Sequence, residues 1–108
     1  MRRFTPTELQ NYLAETNAAP LLLDVREAWE FQICQLQGSQ LIPMRDIPQA
    51  VEGGDLDPAQ EIVAICHHGI RSRQVAYYLE QQGFDKVINL EGGVEAWASD
   101  VDPTMPRY

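Results

Sequence analysis

One stretch of the 108-residue chain carries the residue types that do chemistry: Cys66-His67-His68-Gly69-Ile70-Arg71-Ser72. Before it runs Glu61-Ile62-Val63-Ala64-Ile65, apolar and rich in β-branched residues. After it, Arg73 to Gln82 shows helical spacing of its apolar side chains. Strand, tight loop and helix in that order aim backbone N–H groups into a small concavity that suits an anion. A cysteine that closes a buried strand is commonly an inert core residue, so its neighbours decide. No acidic residue falls between Glu61 and Glu80, although the chain holds sixteen acidic against eight basic residues. Both histidines and two of the eight basic residues, Arg71 and Arg73, fall in that window. A helix N-terminus and nearby cations stabilise a thiolate, so Cys66 is expected to be reactive.

His67 and His68 are adjacent, and adjacent residues do not easily converge with Cys66 on one tetrahedral ion. No second ligand pair is visible, so no metal is expected, and the histidines shape the rim of the loop and its charge. Four residues separate Cys66 from Arg71, one fewer than in the loop with which cysteine-type phosphatases wrap a tetrahedral phosphate. The smaller cradle matches a single sulfur atom held on the cysteine.

The elements around this loop alternate. Thr5-Pro6-Thr7-Glu8 reads as a capping box with proline at the first helical position, followed by an apolar face of Leu9, Tyr12 and Leu13. Leu21 to Val25 is a continuous apolar strand of the kind buried on both faces of a parallel sheet. Arg26 to Ile33 reads as a short helix, Ser39 to Ile42 as a short strand closed by Pro43, and Arg45 to Glu52 as weakly helical. Gly53 to Pro58 is a surface loop. Gly83 stands where a helix ending near Gln82 needs its glycine, with Phe84 folding back on the last turn. Lys86 to Leu90 is another buried strand, Glu91-Gly92-Gly93 a turn, and Val94 to Ala98 a short helix with Trp97. The proline-bearing tail after Asp100 reads as extended. Strands alternating with helices give an α/β domain over residues 1–108, with a central, mostly parallel sheet of about five strands and helices on both faces. Ligands of such sheets bind beyond the carboxyl ends of the strands, and Cys66 lies at one of them.

Composition bounds the partners. A net charge of −8 argues against nucleic acid and anionic membrane, both of which need a basic face. No apolar run approaches a membrane span, and the arginines at the N-terminus have no apolar stretch behind them, so no signal peptide is expected. Two cysteines, Cys34 and Cys66, are too few for a disulfide scaffold, which points to a reduced, cytoplasmic setting. The acidic surface suits a monomer or weak dimer, and composition leaves the oligomeric state open.

Cys66 to Ser72 resembles the active-site loop of the rhodanese family, the thiosulfate sulfurtransferases and their relatives. Leu23-Asp24-Val25-Arg26-Glu27 with Glu30-Phe31 is similar to that family's Asp-x-Arg-Glu strand end and helix. Gly38-Ser39, Ile42-Pro43 and Asn89-Leu90-Glu91-Gly92-Gly93 followed by Trp97 agree with its other segments. The resemblance implies a single rhodanese-like domain and a Cys66 thiolate that takes the outer sulfur of a donor such as thiosulfate. A thiol, a protein or cyanide would then remove that sulfur from the Cys66 persulfide. Loop N–H groups from His67, His68, Gly69, Ile70, Arg71 and Ser72 would bind the anionic group. Arg71 would bind the donor or lock the loop, and Asp24 and Arg26 would order the strand ends as an ion pair. No cofactor enters this scheme.

One departure is Cys34-Gln35-Leu36, where the family usually carries Gly-His-Ile. Cys34 is expected near the amino ends of the sheet, as a packed residue remote from Cys66 and not disulfide-bonded to it. Trp29, Trp97, Tyr77 and Tyr78 read as core or groove-lining aromatics, and Arg2, Arg3 and Arg107 as solvated termini. A phosphatase or arsenate reductase is the second enzyme reading, since cell-cycle dual-specificity phosphatases share this fold, but the loop length argues against it. A non-catalytic binding module would commonly lose the cysteine that this chain keeps. A protein-to-protein sulfur relay would keep it.

Overall fold

In a computed structural model, all residues from 1 to 108 are described. The elements are β1 (Arg2–Phe4), α1 (Pro6–Glu15), β2 (Leu21–Asp24), α2 (Ala28–Ile33), β3 (Gln40–Leu41), α3 (Ile47–Glu52), β4 (Ile62–Ile65), α4 (Ile70–Gln81), β5 (Val87–Leu90) and α5 (Gly93–Asp100). Met44–Asp46 forms a 3₁₀ turn ahead of α3. The five strands make one sheet in the order β1-β5-β4-β2-β3, and every pairing is parallel. β4, the strand that ends at Cys66, is central, and all four of its residues are buried.

Side chains alternate across a strand, so the apolar runs supply two cores. Leu22, Val63, Ile65, Ile88 and Leu90 face Leu9 of α1 and Val94 and Ala98 of α5. Leu23, Val25, Ile62, Cys66 and Val87 face Ile47 of α3 and Val75, Ala76 and Leu79 of α4. No helix is long and apolar enough to cross a membrane.

The local signals formed as read. Thr5 caps α1 in a capping box with Glu8. Gly83 takes a left-handed φ of 93°, and the Phe84 N–H donates back to the Leu79 carbonyl at 3.0 Å. Three expectations for the rest of the chain change. The N-terminal arginines keep solvated side chains as expected, but their backbone is ordered in the sheet. Arg2–Phe4 forms the edge strand β1 along β5, with Arg2 beside Glu61 and Arg3 beside Glu91. The tail does not stay extended. It turns after α5, buries Met105 and returns Tyr108 to the sheet's carboxyl end. Arg107, on that returning tail, pairs with Glu95.

Cys34 is the third. It is tied to Arg26, beyond the carboxyl end of β2, and not placed at the amino ends. The Arg26 Nη2 donates to the Cys34 carbonyl at 2.6 Å, because a buried guanidinium needs more acceptors than Asp24 provides. Both cysteines are free, and they pack in the cores on opposite faces of the sheet.

Candidate active site

β4 delivers Cys66 to the carboxyl edge of the sheet with its residue 1% exposed. The chain must then turn sharply to enter α4, and Gly69 makes the turn at a φ of 94°. A Cβ on Gly69 would press on the Gly92 N at 2.9 Å. On Gly93 it would collide with the carbonyl oxygens of Cys66 and His67. Those two carbonyls accept hydrogen bonds from the Val94 N–H at 2.9 Å and the Glu95 N–H at 3.1 Å. The glycine turn before α5 therefore clasps the loop at a distance only glycine permits.

Within the loop, the Gly69 N–H donates to the Cys66 Sγ at 3.0 Å. The Sγ also lies 3.3 Å from the Ser72 Oγ, to which a thiol donates. The Ser72 hydroxyl donates to the Asn89 Oδ1 at 2.5 Å. The Asn89 amide nitrogen donates to the Gly69 carbonyl and to Glu91, which fixes the amide so that its oxygen must face Ser72. Ser72 and Asn89 are both fully buried. Since Ile70, Arg71 and Ser72 open α4, their N–H groups have no partner inside the helix.

Arg71 is clamped. Its two terminal nitrogens donate to the two oxygens of Glu30 at 2.8 Å each. The hydrogen bonds from Arg71 hold the Glu30 carboxyl far below its ordinary value, at about 2, against the opposing effect of burial. The same contact raises Arg71. Arg26 is buried completely with Asp24, bonding it through Nε and Nη2, the latter at 2.7 Å. Burial opposes the charge of Arg26, but bonds to Asp24 and Tyr108 prevail and hold it above its ordinary value.

Tyr108 joins these two pairs. Its hydroxyl accepts from Arg26 at 3.0 Å and donates to Glu30 at 2.7 Å. Burial, with Glu30 assisting, pushes that phenol up to about 12. Its ring stacks on His67 at 3.9 Å, and His67 in turn stacks on His68 at 4.0 Å. His67 titrates below its ordinary value, because of burial first and the neighbouring His68 second. Trp29 meets the other side of Tyr108 edge-on and is 59% exposed, so it lines the rim and is no core residue. Tyr77 is likewise exposed.

The structure thus gathers every residue of the Cys66–Ser72 loop, with the Asp24–Arg26 pair one layer beneath. Sequence reasoning missed the parts played by Glu30, Asn89 and Tyr108. Glu30 had a usable signal, as an acid one helical turn past Arg26 in a domain that must balance a partly buried Arg71. Tyr108 had none, because only the folded tail brings it there. Of the two arginines in the cationic window read along the chain, Arg71 is neutralised by Glu30 of α2, and Arg73 has no acidic partner. No group of three or more histidine, cysteine or acidic side chains is placed to hold a metal ion. None of the surface cavities is lined by a residue of the loop.

Residues 5–100 match the protein family described as Rhodanese-like domain. The chain is 33% identical over 84 residues to Thiosulfate sulfurtransferase GlpE of Stutzerimonas stutzeri, covering 78% of this chain and 75% of that protein. It is 38% identical over 89 residues to Rhodanese-like/PpiC domain-containing protein 12, chloroplastic, of Arabidopsis thaliana. That match covers 81% of this chain but only 30% of the relative, so the chain corresponds to one part of a longer protein. Among solved structures, the Rhodanese-like Domain Protein from Staphylococcus aureus superposes with a TM-score of 0.80 at 34% identity, covering 90% of this chain and 91% of that one.

Proposed function

Since the chain belongs to the rhodanese-like domain family, whose relatives include named sulfurtransferases, we propose that it is itself a sulfurtransferase working through a Cys66 persulfide. The thiolate of Cys66 attacks the outer sulfur of a sulfane donor, of which thiosulfate is the simplest. The donor's S–S bond breaks, sulfite leaves with the bonding pair, and Cys66 keeps the sulfur as a persulfide. A thiol, a protein nucleophile or cyanide then attacks the outer sulfur and restores the Cys66 thiolate. This is two-step covalent catalysis, and it needs neither metal nor cofactor.

One observation carries the reading. The Cys66 Sγ sits at a helix N-terminus with the Gly69 N–H aimed at it. Such donors stabilise first the attacking thiolate and then the persulfide anion. His67, His68, Ile70, Arg71 and Ser72 complete the cradle. Arg71 serves as the loop's anchor to Glu30, and Asp24 with Arg26 holds the strand end beneath. The acceptor is a thiol or protein of the same reduced compartment.

Intact mass tests the proposal. Incubation with thiosulfate or an organic persulfide should add one sulfur to the wild-type chain and none to Cys66→Ser. Absence of that gain with every sulfane donor overturns it.

A further inference from the structure

Resting on the sulfurtransferase reading, we infer that the preferred donor is a persulfide carried on an organic thiol of low charge, and not an inorganic dianion. The cations that would greet a dianion are already engaged. Both terminal nitrogens of Arg71 face Glu30, and Arg26 is fully buried against Asp24. Arg107 pairs with Glu95, and Arg3 faces Glu91. Arg73 is the one arginine of the loop–helix unit without an acidic partner, and it is exposed, where solvent screens its charge. It stands against a chain of net charge −8.

The rim supplies the second observation. Ile70, inside the loop itself and first residue of α4, is 62% exposed, a large apolar side chain presented to solvent. Across the mouth, Trp29 and Tyr108 continue an aromatic surface to His67. Such a rim can cover the carbon body of an organic donor, and it holds no arginine or lysine for a sulfonate. Since none of the surface cavities is lined by the loop, a donor's body would rest on this rim while its terminal sulfur reaches inward.

The chemistry balances without an oxidant. The Cys66 thiolate attacks the terminal sulfur of R–S–SH, the donor's S–S bond breaks, and the thiolate R–S⁻ departs with the bonding pair. The sulfane sulfur and its proton now sit on Cys66, and R–S⁻ takes a proton from water.

Two donors with the same two-carbon body but a neutral hydroxyl or an anionic sulfonate at its far end test this: the persulfides of mercaptoethanol and of mercaptoethanesulfonate, with thiosulfate alongside. The rate of sulfur gain by the full chain is read by intact mass at low and at high salt. The hydroxyl-bearing persulfide should load roughly tenfold faster than its sulfonated twin at low salt, the scale on which a protein's field alters such rates. Raising the salt should lift the rates of thiosulfate and the sulfonated persulfide by more than that of the hydroxyl-bearing one. Equal rates for the twins, or thiosulfate and sulfonated-persulfide rates that fall with salt, overturn the inference.

Glu30→Gln supplies a second arm, since it frees Arg71 and should raise the thiosulfate and sulfonated-persulfide rates relative to the hydroxyl-bearing one. An unchanged ratio in the folded variant also counts against the inference. The wild-type comparison decides alone if the variant does not fold. Failure of all three donors to add sulfur to Cys66 removes the sulfurtransferase reading itself, a result distinct from any preference among donors.

Discussion

Replacing Glu30 with glutamine keeps the side chain's shape and removes the charge that anchors the loop. The Glu30 side chain is 4% exposed and accepts two short bonds from Arg71. Its carboxyl is held at about 2, against 4.5 for the unperturbed group. At about 1.36 kcal/mol per pKa unit, that difference amounts to about 3 kcal/mol of stability at neutral pH. The Arg71 side chain is 36% exposed, so solvent screening lowers the expected value to about 2 kcal/mol. The sign follows from the depressed folded value. The contribution is complete above 4.5 and is lost as pH falls from there through about 2. By pH 3 roughly half or less should remain. Urea denaturation of wild type and Glu30→Gln, followed by tryptophan fluorescence at pH 7 and near pH 3, measures this directly. Other carboxylates, such as the Glu8 of the α1 capping box, are common to both proteins and cancel in the difference. A stability gap that is the same at both pH values would show that shape, and not the Arg71 ion pair, is what Glu30 contributes.

Two further changes probe the layers on either side of that pair. Arg26→Met strands the buried Asp24 carboxylate and orphans the Cys34 carbonyl, and should cost about 3–5 kcal/mol, the usual loss for breaking a buried pair from one side. Thermal unfolding should drop by on the order of 15 °C; a shift of only a degree or two would mean the pair adds nothing. Tyr108→Ala uncovers His67, so the His67 pKa should rise toward its ordinary value as solvent returns. Proton NMR of the imidazole follows it, and an unmoved titration assigns the depression to His68.

What was legible in the sequence was local. A capping box, a glycine after a helix and a β-branched run each form through neighbours a few residues away, so Thr5, Gly83 and Ile62–Ile65 could be read one at a time. The loop was legible for the same reason: Cys66, Gly69 and Arg71 lie within one turn of chain, and their spacing sets the size of the cradle. Pairing across the fold was not legible. β1 is too short to carry a periodicity, and β5 recruits it through backbone bonds that any sequence could make. Tyr108 reaches Glu30 across 78 residues, and Arg71 reaches it across 41.

That division matters for function, because the local signals and the long-range contacts speak to different questions. The loop alone looked cationic, and a cationic cradle would have suited any small anion. Folding brings Glu30 onto Arg71 and stacks Tyr108 on His67, which turns a site of available charge into one of occupied charge with an aromatic border. The cysteine and its loop were thus visible from the order of residues in one segment. On the proposed reading, the kind of molecule that approaches the cysteine is decided by residues from α2 and the returning tail, which only the fold brings to the loop's edge.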